Sequence, residues 1–166
     1  MRPLRQISIP DPLEKLDRFV AEFLSKYGLL ALRISLGINF VWFGLLKFFP
    51  NLSPAEELAG NTLTLLSFGL FQPAYSLPTL ALCETAIGLG LIFGRPFRLV
   101  LVLLFFHMIG TMTPLILCPA EMFSQGLFGL TLEGQYVIKN LVLASAGLVL
   151  GSTIRGGRLV AEPHKV

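Results

Sequence analysis

Apolar positions along this chain gather into four long runs, about Leu29–Phe49, Tyr75–Phe93, Pro96–Leu117 and Tyr136–Leu150. A helix needs about 20 apolar residues to cross a hydrocarbon core about 30 Å thick, and the last run reaches that length only if it begins near Leu132. Ahead of the first run the pattern changes. Leu13, Leu16, Phe19, Val20, Phe23, Leu24 and Tyr27 recur at helical spacing, with Glu14, Lys15, Asp17, Arg18, Glu22 and Lys26 filling the other side. This predicts an amphipathic helix lying on the membrane interface, with docking of a soluble partner as its alternative use. Asp11 at the cap, Pro12 in the first turn and Glu14 reaching back would start it, and Gly28 is expected to separate it from the first span.

Pro50 stops the first span. Ser53-Pro54-Ala55-Glu56 repeats the capping pattern, predicting a second interfacial or re-entrant helix from Pro54 to about Ser67, folded over the bundle. Pro73 and Pro78 bracket the start of span two. Small residues recur at helical spacing in three spans: Gly37 and Gly44; Ala81, Thr85 and Gly88; Asn140, Ala144, Gly147 and Gly151. Such stripes let backbones approach closely in lipid. The expected fold is all-α, an integral membrane four-helix bundle (residues 28–151) behind an N-terminal segment (1–27) and ahead of a basic tail (152–166).

Composition and charge fit a lipid solvent. The 166 residues are 54% hydrophobic and 14% charged, where soluble domains carry roughly 25% charged residues. Arg2, Arg5, Lys15, Arg18, Lys26 and Arg33 precede or open span one; Arg95 and Arg98 join spans two and three; Arg155, Arg158 and Lys165 lie in the tail. The loops Pro50–Ala74 and Cys118–Gln135 have no Lys or Arg, so the positive-inside rule predicts cytoplasmic termini. The first dozen residues lack the apolar region of a signal peptide, so insertion through span one is expected. Cations that flank spans and are not interleaved with aromatics on a soluble face argue against a nucleic-acid partner. Cys83 and Cys118 sit in no metal-ligating spacing, and haem and nucleotide motifs are absent, so no metal is expected.

Besides Arg33 and Arg98 at the inner ends of their spans, Lys47, Glu84, His107 and Lys139 interrupt the apolar runs. A charged side chain there costs roughly 2.5–3.5 kcal/mol on insertion scales, so each needs a partner, a cavity or a task. Counting helical rise places Glu84 and His107 near mid-depth and Lys47 and Lys139 in the outer third, with Asn39 and Asn140 at similar depths. His107, Thr111, Pro114 and Cys118 share one face of span three, and Pro114 frees the carbonyl of Gly110 from its helical bond and is expected to kink the span. Cys118 is expected to be the more accessible thiol. These groups are expected to converge toward the outer side, either as a satisfied ion pair of Glu84 with Lys47 or Lys139, or as a polar pocket. In such a pocket Glu84 and His107 would carry protons, while Lys47, Lys139, Asn39, Asn140, Trp42 and Thr111 would line a ligand site for a carbonyl or anion such as a quinone head.

The run Arg33-Ile-Ser-Leu-Gly-Ile-Asn-Phe-Val-Trp-Phe-Gly-Leu-Leu-Lys-Phe-Phe-Pro50, with Glu84-Thr-Ala-Ile-Gly88, Met112-Thr-Pro114 and Gly134-Gln-Tyr-Val-Ile-Lys-Asn-Leu141, resembles the DoxX-like group of small four-span bacterial membrane proteins. The first run is also similar to the YkgB-like branch, although that pattern has Lys-Asp where this chain has Lys139-Asn140. The resemblance covers Gly28 to Gly151. It implies a bacterial inner-membrane bundle with polar groups at Lys47, Glu84 and Lys139, tied to quinone- or sulfur-linked oxidation and oxidative stress, or to assembly roles. The leading expectation is a subunit or accessory factor of a membrane redox system, with partner subunits or further copies of itself. A non-enzymatic scaffold and a small proton-coupled carrier are the alternatives.

Overall fold

A computed structural model of the chain describes residues 11–53, 56–70, 72–124, 126 and 128–161; the side chains of Asp11, Pro12 and Pro73 are not among them. Helices α1 (Asp11–Leu46), α3 (Pro73–Phe93), α4 (Phe97–Met112) and α7 (Leu132–Gly151) form a bundle, with α2 (Glu56–Leu66) and the single turns α5 (Pro114–Leu117) and α6 (Pro119–Met122) between them. The four expected spans are thus present as helices long and apolar enough to cross a membrane, and α7 does begin at Leu132. The only strand-like pairing among the described residues is Phe123 with Leu130.

The expected break at Gly28 is absent. α1 runs unbroken for 36 residues, about 54 Å at the α-helical rise. One interior glycine costs about 1 kcal/mol against alanine, too little to end a helix whose neighbours, Tyr27 and Leu29, carry no breaker. The capping contacts expected of Asp11 and Pro12 lie outside the described residues. Pro73, not Pro78, marks the start of α3, and Pro78 sits inside its second turn.

α1 and α3 make the closest packing. A Cβ on Gly88 would fall 2.6 Å from Val41 N and 2.7 Å from Gly37 O, and one on Gly44 2.8 Å from Thr85 N. The expected small-residue stripes of spans one and two are therefore one shared seam. At the end of α3, Gly94 takes a left-handed φ of 70° and its N–H closes on Gly90 O. A Cβ there would meet Arg33 Nη1 at 2.7 Å, which places the guanidinium at the carbonyl end of α3, where a cation is favoured. Gly147 packs on Leu104 and Phe105.

The bundle has two unlike halves. Leu36, Phe40, Ile87, Leu91, Val100, Leu101, Leu104, Met108 and Leu150 form a dry core in the half nearer the chain's termini. In the other half the helices line a half-open chamber, and α2 folds across it as expected. Leu58 of α2 packs with Met122 and Val137. Thr131 accepts the Gly134 N–H at the start of α7 and donates to Glu121 O at 2.6 Å, tying α6 to α7.

Candidate functional site

The polar residues of three spans meet in the hollow half. Phe43 and Lys47 follow one turn apart at the end of α1, Glu84 projects from the middle of α3, and His107 from the second half of α4. Lys47 Nζ donates to Glu84 Oε2 at 2.7 Å, and its side chain and that of Glu84 are 8% and 7% exposed. A second donation, to Phe43 O at 3.3 Å, returns Lys47 to its own helix. His107 Nε2 lies 3.3 Å from Glu84 Oε1, so the carboxylate bridges an ammonium and an imidazole. The Phe40 ring packs edge-on to the imidazole, 5.6 Å between centroids.

This triad forms part of the wall of a cavity of about 970 Å³. Most of the remaining wall is apolar: Phe40 and Phe43 from α1, Leu80 from α3, Met108 and Pro114 from α4 and α5, Leu143 from α7. Leu58, Ala59, Thr62, Leu63 and Leu66 of α2 also line it. Phe106, Ile109 and Val142 belong to the lining and are 78%, 69% and 70% exposed. The cavity therefore reaches the outward faces of α4 and α7.

Of the other expected site residues, Asn39, Asn140 and Thr111 line the cavity. Thr111 spends its hydroxyl on Met108 O at 3.0 Å. Lys139 lines the cavity too, but it is not drawn into the ion pair; it is an exposed residue whose Nζ stands 5.3 Å from the Tyr136 ring centroid. Trp42 is not part of the wall: it is 64% exposed on α1, because it lies two residues from Phe40 and so about 200° around the helix from that buried side chain.

Span three behaves as its proline dictates. His107, Thr111, Pro114 and Cys118 all face inward, and the helix breaks at Thr113, whose N–H and hydroxyl both serve the carbonyl of Gly110, at 3.2 and 2.6 Å. The thiol order is the reverse of the expected one. Cys118 is buried, 9% exposed, while Cys83 is only partly buried and lines the cavity. Burial and the nearby Glu121 carboxylate push the Cys118 thiol up, against a hydrogen bond with Thr62.

Ser53 was expected to cap α2 and does not. Glu56 Oε2 accepts the Asn51 N–H at 2.7 Å, whereas the Ser53 hydroxyl, on a residue 7% exposed, is buried in the cavity wall with no partner. A buried polar group without a partner is uncommon and calls for an explanation. Its role, and that of the α2 lining, could not be found from depth counting, since neither belongs to a span. Beyond the expected fold-back of that helix, the signal was the helical stripe Leu58, Thr62 and Leu66, apolar at its two ends. No cluster of His, Cys, Asp and Glu among the described residues has the makings of a metal site.

A family model described as DoxX matches residues 28–117. The match takes in Lys47, Glu84 and His107 and stops at the end of α5, short of the expected limit at Gly151, leaving Lys139 and Asn140 outside. No curated protein and no solved structure matches the chain.

Proposed function

We propose that this chain, which belongs to the DoxX family, holds a lipid-soluble carbonyl compound of the quinone class in its cavity, as a subunit or accessory factor of a redox system in the bacterial cytoplasmic membrane. The observation that carries this reading is a chamber of about 970 Å³, apolar on most sides, with the Lys47–Glu84–His107 triad on one wall and the orphaned Ser53 hydroxyl buried against it. Binding sites are typically apolar concavities with a few placed polar groups. A purely structural ion pair explains less. Such pairs are often no better than apolar packing, and they give no reason for a wide apolar cavity beside them.

The residues fit such a head group. Lys47, Ser53 and the carboxamides of Asn39 and Asn140 offer donors for carbonyl oxygens. Glu84 and His107 form a pair across which a proton can be held or passed. A bound quinone supplies two-electron redox chemistry; the protein's part is to orient the head, exclude water and manage the proton. The opening beside Phe106, Ile109 and Val142 suits a tail that leaves toward lipid. Arg95, Arg98, Arg155 and Arg158 share the end of the bundle with the N-terminal half of α1, which supports cytoplasmic termini.

Titration of the protein in nanodiscs with short-tailed benzoquinone and naphthoquinone probes tests the reading. Saturable binding, weakened at least tenfold by Glu84→Gln, is the expected result. No saturable binding, together with unchanged quinone reduction in membranes carrying Glu84→Gln, removes it.

A further inference from the structure

The first half of α1 carries an apolar seam that the chain leaves uncovered. Leu13, Leu16, Val20, Phe23, Tyr27 and Leu30 alternate at spacings of three and four residues, and they are 52%, 60%, 44%, 53%, 42% and 48% exposed. That alternation is the a/d pattern of a heptad repeat, which fits another helix laid alongside at a shallow angle. Leu159 of the tail comes up against Gly28, a position off the seam.

The continuation of the same register shows what it accepts. The next a and d positions, Ile34, Gly37, Val41 and Gly44, include the residues that α3 packs against through Gly88 and Thr85. α3 ends at Phe93, beside Arg33. The seam is thus filled by a helix above that level and open below it.

From this we propose that the α1 helices of two copies of the chain pair in parallel through the Leu13–Leu30 seam, most of which precedes the first long apolar run. Two copies inserted in one membrane share an orientation, so their projecting helices run parallel without further constraint. In a parallel pair each g position faces the partner's next e position. Here those pairings are Pro12 with Asp17, Phe19 with Leu24 and Lys26 with Ala31, so the apolar strip widens at the second and no like charges meet. Glu14, Lys15, Arg18 and Glu22 all fall at b, c and f positions, away from the contact, and Glu14 and Arg18 pair with each other along the helix at 2.7 Å. A seam of two and a half heptads is short for a free coiled coil. Confinement to one membrane compensates by raising the effective concentration of the partner helix. Pairing stops where α3 takes over the seam, so the two bundles diverge above Leu30.

Laying this segment on the membrane surface instead would need a sharp bend near Gly28, and α1 has none. All of the seam but Leu30 also precedes the stretch that matches the family model, and none of its residues lines the pocket.

Full-length protein carrying Leu16→Cys or Phe23→Cys, reconstituted at high lipid-to-protein ratio in phosphatidylethanolamine/phosphatidylglycerol vesicles, is oxidised with copper phenanthroline beside Lys15→Cys, Glu22→Cys and the unmodified chain. Disulfide-linked dimers from the two seam variants, at least fivefold above the other three, are expected. Phe23→Asp added to Leu16→Cys should abolish the dimer while leaving thermal unfolding of the bundle unchanged. Equal crosslinking on both faces, or none at either, overturns the proposal. A nitroxide at position 16 or 23 that contacts lipid, without crosslinking, assigns the face to the membrane surface and overturns it as well.

Discussion

Replacing Glu84 by glutamine keeps the shape of the side chain and removes only its charge. Lys47, with a side chain 8% exposed and its ammonium 2.7 Å from the carboxylate, would then be buried with no countercharge. Breaking a buried pair from one side typically costs about 3–5 kcal/mol. For a chain of this size each kcal/mol moves the unfolding midpoint by about 2–4 °C, so Glu84→Gln should lower Tm by about 6–20 °C in detergent or nanodiscs. Lys47→Met should lower it less, because the remaining carboxylate keeps His107 at 3.3 Å as a partner. The double variant Lys47→Met/Glu84→Gln contains neither charge and should recover most of the loss. A double variant that is stable yet binds no quinone separates the pocket's task from its contribution to folding. If Glu84→Gln alone leaves Tm within 1–2 °C, well inside the range expected for an exposed pair, the ammonium is solvated and the reasoning about a buried triad fails.

Gly88→Ala drives a Cβ against backbone atoms of α1 and should destabilise by about 1–3 kcal/mol or more, whereas Gly110→Ala, with open space around the added atom, should be neutral or slightly stabilising; paired thermal melts check both. Ser53→Ala removes an unpartnered buried hydroxyl and should stabilise the ligand-free protein by about 1 kcal/mol while weakening probe binding, a split visible by measuring Tm and Kd on one preparation. The Cys118 thiol is pushed up by burial and by Glu121, so its thiolate is scarcer at neutral pH than that of a free cysteine. Iodoacetamide labelling followed by mass spectrometry should be slow at pH 7 and still climbing above pH 9; labelling at the rate of a free thiol at pH 7 would contradict the burial.

The spans were legible because their signal is long and one-dimensional: about 20 apolar residues identify a helix in lipid whatever its neighbours are. The same holds for the small-residue stripes, since glycine at Gly37, Gly44 and Gly88 has few uses in a membrane helix besides close approach. Convergence of Lys47, Glu84 and His107 was expected from the cost of leaving such groups alone in lipid, with depth giving only their heights. Direction was not. Lys139 shares a comparable depth yet remains exposed beside Tyr136, because depth counting fixes height along a helix and leaves its rotation to packing. The fold-back of α2 over the bundle was legible from its capping pattern and apolar content, but which of its residues, and Ser53 before it, face the cavity depends on how a 26-residue connection between α1 and α3 is set, which no periodicity within a span encodes. Gly28 misled because a glycine invites a break without compelling one.

The division of the bundle into a dry half and a hollow half bears on how pocket variants can be read. The cluster of Leu36, Ile87, Leu91, Leu101 and Leu104 holds the helices together away from most of the chamber, and the close α1–α3 seam runs on from it to the level of Glu84, where Gly44 meets Thr85. Removing a chamber polar group that is not part of the ion pair, such as the Ser53 hydroxyl, leaves those contacts in place, so a loss of binding there is separate from a loss of fold. The triad sits where the two halves adjoin: Phe40 belongs to the dry cluster and also lies edge-on to His107. That contact orients the imidazole from the rigid side while Glu84 engages it from across the bundle. A chain selected only to fill space would carry the core to the far end with leucine. Instead the main cluster stops at the depth where the ionisable side chains begin, a smaller one of Leu58, Met122 and Val137 closes the far end, and the connection between α1 and α3 folds over the opening between them.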